Sequence, residues 1–329
     1  MTTYVFELCN IYIPEDTVYQ NDDLNIRIEP RDIAEEFEDE RRDPGSQYRH
    51  GYWHTAQCYI EAEEDRAKQL AHWLTLIYSF AQLRDVIWSA YYTLEQDRGH
   101  RQSTYTFSID NSNIRLIKGV WGSPGSQDIG EFVDTALQTF DEVSDEERSH
   151  LLRSLSLFLE ASSDTFWMIK FLFHWIVLES NANYNYDDYL QGPGDPIFTD
   201  EEIEALCESV ITHLEENDWS SDKVAHMEYV LEQKHLYEAS SKTKIKIYLE
   251  HLNIGFDIEE IEDIIQMARS IRNPIVHRID ESRLMNNNEI VMDIRKIGFY
   301  VILRLLGVDE EMQDRLITPM IVGPDIQRD

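Results

Sequence analysis

The hydrophobic period of this chain settles into one kind only past its first third. Up to Trp121 short β-branched and aromatic runs are mixed with a helical stripe; from Asp128 the apolar residues recur every three or four residues almost to the end. Between them lies "GSPGSQD" (Gly122–Asp128), the densest cluster of turn-forming residues at any such change. With 329 residues there is room for two ordinary domains. The change of period predicts a mixed α/β domain over 1–122, a helical domain over 128–310, and a tail over 311–329 with no assignable role.

In the first part, Tyr4–Ile13, Leu24–Glu29 and Thr55–Glu63 carry strand-like content, and Pro30–Gly51 reads as an acidic, turn-rich exposed excursion. A helix follows over Glu63–Arg84, where Ala67, Leu70, Leu74, Ile77 and Tyr78 mark one face. Val86–Glu95, Ser103–Asp110 and Asn113–Trp121 read as a small antiparallel sheet. In the second part helices are expected at Asp145–Ala161, Asp164–Asn181, Asp200–Glu216, Asp222–Asn253, Asp257–Asn273 and Asn288–Leu306. Thr199 or Asp200, Asp222 and Asp257 supply opening caps. The helix from Asp164 is apolar nearly all round, which places it inside the bundle or in an interface.

Composition narrows the setting. Twenty-nine basic residues against 63 acidic ones give a net charge of −34. The acid is spread along the chain and lysine is scarce, a pattern suited to the cytoplasm of a salt-accumulating halophile. In molar salt the Debye length falls to roughly 3 Å, so a like-charged surface is tolerated. The other reading is an acidic protein of ordinary cytoplasm that repels nucleic acid. No secretory leader is visible, and the most apolar run, Thr165–Leu178, is short for a bilayer and holds Lys170 and His174. No membrane association is expected. Cys9, Cys58 and Cys207 match no metal-ligand spacing and read as reduced, mostly buried thiols.

The most chemically suggestive stretch is "ARSIRNPIVHRID" (Ala268–Asp280). On a straight helix Arg272 and His277 sit roughly 140° apart. Pro274 disfavours helical geometry at Asn273 and lacks an N–H. One reading therefore ends the helix near Asn273, which caps a new turn, and the kink turns both side chains toward one pocket. Between Arg269 and Arg283 the basic residues Arg269, Arg272, Arg278 and Arg283 against Asp280 and Glu281 leave four minus two, or +2. Such a pair suits RNA cleavage: histidine takes or gives the proton, and arginine holds the phosphate as charge builds. Neither step needs a metal, and no cofactor is expected. The plainer reading is a polar helix junction, with Arg272 in solvent and His277 making one core hydrogen bond.

An arginine–asparagine pair, three residues and a histidine, late in a helical region and before one last apolar helix (Glu289–Gly307), resembles the HEPN superfamily. The resemblance extends over Asp145–Gly307, about half the chain. It includes "KFLFHWIVLES" (Lys170–Ser180), similar to the early aromatic helix of such domains, and the helix, turn and motif helix of Lys244–His277. The fold it implies is an α+β N-terminal domain followed by an all-α HEPN-like bundle. The function it implies is a metal-independent endoribonuclease of antiviral defence or toxin–antitoxin type. Arg272 and His277 would be catalytic with Asn273 in support, and Glu179 an accessory polar residue. Two copies would pair as a homodimer with their motifs facing one cleft, with RNA as substrate and an antitoxin or defence-system component as a further partner. The large N-terminal region departs from the simplest members and is similar to what larger defence-type proteins carry.

Other features remain open between two readings. The loop Asn181–Pro196 is either a surface loop or a platform where Tyr184, Tyr186 or Tyr189 stack on bases. Lys242, Lys244 and Lys246 of "KTKIK" either follow an RNA backbone or form a solvated helix face. Arg269 and Arg278 are further phosphate-binding candidates. "GPGDP" lacks the lysine of a P-loop, and His213, His226, His235 and His251 lack ligand spacing. A non-catalytic HEPN scaffold or sensor that binds a partner or nucleotide is the alternative function, favoured by the acidic charge.

Overall fold

The computed structural model describes residues 1–11, 13, 18–31, 54–82, 85–95, 102–103, 127–163, 166–185, 200–217, 219–231, 240–254, 258–278, 282–287 and 289–317. The chain divides into two compact units: Met1–Thr165 with Ile302–Asp329, and Phe166–Val301.

The first unit is built on an antiparallel sheet of six strands in the order β2-β3-β4-β1-β5-β6. The strands are β1 (Thr2–Cys9), β2 (Tyr19–Asn21), β3 (Ile26–Pro30), β4 (His54–Ala62), β5 (Ile87–Thr93) and β6 (Gln102–Ser103). Register sets Phe6 against Cys58 and Tyr91, and Cys58 against Ile28, so these residues share one face. Helix α1 (Glu64–Gln82) covers that face: Tyr78 meets Tyr19 edge-on at 6.4 Å, and the Tyr91 hydroxyl donates to Glu64 at 2.8 Å. The five residues of the expected α1 stripe are all buried.

The opposite side of α1 is buried as well, against α2 (Gln127–Glu142) and α3 (Asp145–Ser163). Trp73 stacks on Phe140 at 5.3 Å and Phe80 meets Phe158 at 5.4 Å. The turn between α2 and α3 is tightly closed. Ser144 and Glu147 form a reciprocal capping box, while the Arg148 guanidinium donates to the carbonyls of Phe140 (2.6 Å) and Val143 (2.8 Å).

The second unit is helical: α4 (Trp167–Tyr184), α5 (Asp200–Glu216), α6 (Ser221–Leu231), α7 (Ser241–Leu252), α8 (Ile258–Arg278), α9 (Ser282–Met285) and α10 (Glu289–Leu305) as far as Val301. Helices α4, α7 and α8 pack on one another through Phe171, Trp175 and Leu178; Ile245, Tyr248 and Leu249; and Ile261, Ile265, Ala268, Ile271 and Ile275. Helices α5 and α6 pair, with the Cys207 thiol 3.8 Å from the Leu231 carbonyl. Helix α10 ends back in the first unit. There Gly307 (φ +79°) closes a Schellman turn, with Val308 N–H on Leu303 C=O and Gly307 N–H on Arg304 C=O, before α11 (Glu310–Ile317).

The general order, an antiparallel sheet with a helix and then helices, agrees with the sequence; several details do not. The units do not divide at 122–128, because α2 and α3 pack on α1 and belong with the sheet. β5 pairs with β1, so it belongs to the main sheet and not to a separate one. Residues 104–126 and 32–53 lie outside the described residues, and with them most of the expected later strands and of the excursion. The single helix expected over Asp222–Asn253 is two, since Ser240 caps α7 by accepting from the Thr243 N–H at 3.3 Å. Helix α4 buries one side only, leaving Phe166 67% and Trp167 45% exposed, whereas α10 is enclosed on all sides at Ile297–Leu303, as α1 is at Ile77–Gln82. Among the described residues no helix is long and apolar enough to cross a membrane.

Candidate functional site

The motif lies on α8, which runs unbroken from Ile258 to Arg278 with Pro274 inside it. The expected helix end near Asn273 is therefore corrected. Ile271 and Ile275, on either side of the proline, are both buried. Keeping both in the core requires helical phase across Pro274, and that packing outweighs the lost N–H.

An unbroken helix separates the two motif side chains. Arg272 lies about 20° around the axis from Ile265 and about 40° from Ala268, so it belongs to the inward stripe. His277 lies roughly 140° away and about 7.5 Å along, on the face of exposed Asn273 and Gln266, and is itself exposed. One copy of α8 does not aim the pair at a common point.

Inward placement gives Arg272 a partner from α4. Its Nη2 is 3.6 Å from Glu179 Oε2, and the Trp175 indole N–H donates to the same oxygen at 3.1 Å. The sequence singled out Glu179 as an accessory residue, and the structure brings it to Arg272. Trp175 was read only as part of the aromatic helix; its i,i+4 spacing to Glu179 was the available signal. The Arg272 and Glu179 side chains remain 30% and 21% exposed, so this small polar cluster is still reached by solvent.

The other candidates are dispersed. Arg269 is exposed on α8, three residues before Arg272, and Arg278 ends the helix with its side chain outside the described residues. Lys242 and Lys246 both bind Glu262 of α8, at 3.0 and 2.9 Å, and Lys246 also lies 3.9 Å from Glu250. Hydrogen bonds from Lys246 and Lys242 hold the Glu262 carboxyl well below its ordinary range, at about 2. These two lysines clamp α7 to α8, while Lys244 is half-buried on α7. Tyr184 closes α4, partly exposed; Tyr186 and Tyr189 lie outside the described residues.

The chain matches no family model, no curated protein and no solved structure.

Proposed function

We propose that this chain is a metal-independent endoribonuclease of HEPN type that works as a homodimer. The observation carrying the reading is the Glu179–Arg272–Trp175 cluster beside a motif helix whose histidine faces solvent. Glu179 holds the guanidinium extended at the edge of the core, where a phosphate can displace or share it. His277, exposed on α8, serves as general acid/base.

The chemistry is an in-line transfer within RNA. The 2′-oxygen attacks phosphorus as a histidine removes its proton, the bond to the 5′-oxygen breaks, and that oxygen takes up a proton. The products are a 2′,3′-cyclic phosphate and a free 5′-hydroxyl. Arg272 offsets the charge gathering on the non-bridging oxygens. Because one helix sends its two motif residues about 140° apart, the working site combines Arg272 of one copy with His277 of the other.

A second reading, a HEPN scaffold that binds a partner without cutting RNA, draws on the same pair. The Glu179 carboxylate already neutralises Arg272, and that arrangement alone is a sufficient structural role. Incubation of the full chain with total RNA in high potassium chloride plus EDTA, beside His277→Ala, separates the two. Cleavage by the wild type alone, leaving cyclic phosphate ends, is expected. A dimeric wild-type sample that leaves RNA intact favours the scaffold.

A further inference from the structure

Helices α5 and α6 form a hairpin of the second unit, and among the described residues they pack chiefly on each other. Val210, Ile211 and Leu214 on α5, and Val224, Met227 and Leu231 on α6, recur every three or four residues and give each helix an apolar stripe. Of these six only Leu214 is buried; α6 buries no residue, and Leu206 on α5 stands 40% exposed. Two helices side by side do not close a core between them, and helices of 17 and 11 residues have little stability of their own. The stripes call for a third element laid along the pair.

Charge identifies the chemistry of that element. Residues 200–231 hold ten acidic residues and one lysine, −9 over 32 residues against −34 over 329 for the whole chain. Glu201, Glu204, Glu208 and Glu215 run along the flank of the α5 stripe, all exposed and within about 80° of Ile211 around the axis. Glu204 and Glu208 repel each other one turn apart, and Glu215 and Glu216 oppose the negative end of α5. The adjoining sequence does not offset this, since 186–199 and 232–239 together carry five acidic residues and one lysine. A second copy on the stripes would double the acid, and RNA or an anionic membrane would be repelled.

We propose that the α5–α6 hairpin docks an amphipathic helix of another protein, one whose apolar face is flanked by lysines or arginines. Its apolar side chains complete the layer over α5 and α6, and its cations meet the glutamate row. The surface shares no residue with the Arg272, Glu179 and Trp175 cluster or with His277, and it stands whether or not the chain cuts RNA.

The probe is a synthetic helical peptide as long as α5, with leucines at every third and fourth position and lysines beside them. Calorimetric titration into the full chain is expected to show one peptide bound per chain. A peptide with glutamate for lysine, and one of the same composition in scrambled order, should bind at least about tenfold more weakly, through lost charge and lost stripe respectively. Glu204→Lys combined with Glu208→Lys weakens the lysine peptide by a similar factor, and so does Val210→Asp. Asp23→Lys combined with Glu146→Lys changes the net charge equally at exposed positions of the first unit and leaves binding intact. Should the lysine substitutions unfold α5, glutamines at 204 and 208 give the same direction. Hydrogen exchange locates the contact: amides of Asp200–Leu231, poorly protected in the free chain for want of buried side chains, slow when the peptide binds. Wild type that does not bind the lysine peptide overturns the proposal. So does equal weakening by the two charge-reversal pairs, which assigns the binding to overall charge, or protection that appears outside the hairpin. Dissociation of a wild-type dimer by Val210→Asp assigns the stripes to a second copy and overturns it as well.

Discussion

Gly307 shows how much one residue can determine at a junction. Its left-handed backbone closes α10, and a Cβ there would lie 2.3 Å from Thr139 Oγ1, whose hydroxyl donates to the Leu306 carbonyl at 3.2 Å. Gly307→Ala meets both the φ penalty and the clash, and is expected to destabilise by about 1–3 kcal/mol in a denaturant titration. An unchanged midpoint would mean the turn relaxes freely. Pro274 works the other way, since it costs α8 an N–H in mid-helix. Pro274→Ala is expected to raise stability by about 1–3 kcal/mol. A fall instead would show that the helix depends on a bend at the proline. Arg272 and Glu179 could be picked from the sequence because the motif and the aromatic helix each read locally. Their contact could not, because it depends on how α4 and α8 pack.

At the scale of elements, α7 and α8 are joined by the Lys242, Lys246 and Glu262 cluster as well as by apolar packing. The folded Glu262 carboxyl, at about 2, ionises more readily than its ordinary 4.5. Its contribution is therefore complete above about pH 4.5 and fades as pH falls toward 2. Glu262→Gln should flatten that part of the stability curve, a small effect for so exposed a cluster and smaller still in salt. An acid limb with the same slope in both proteins would remove Glu262 from the account. The sheet strands and α1 were legible because β-branched runs and a three-to-four-residue stripe are local signals. Helix α2 carries the same signal at Phe132, Ala136, Leu137 and Phe140, yet the turn cluster just before it drew a boundary there instead. β2 is too short at three residues to show a period. The break before α7 rests on one serine hydroxyl, which hydropathy does not register.

For the whole molecule, a charge of −34 must repel itself and any RNA at low ionic strength. Raising potassium chloride from about 0.1 M to about 1 M shortens the Debye length from about 10 Å to about 3 Å. The thermal midpoint should climb over that range, and a flat or falling midpoint would contradict a surface suited to salt. RNA cleavage should likewise appear only where salt screens the approach. In the proposed dimer, Arg272 of one copy and His277 of the other make one metal-free site. The most direct test mixes Arg272→Ala and His277→Ala chains under conditions that allow subunits to exchange, then measures RNA cleavage in EDTA and high potassium chloride. Each variant alone should lose about 10²–10⁴-fold, the usual worth of a positioned acid/base or of a charge stabiliser. The mixture should recover a substantial share of wild-type activity, because mixed dimers hold one intact composite site. A mixture as inactive as its two parts, beside an active wild type, would contradict the composite site, and single variants as active as wild type would contradict the claim altogether.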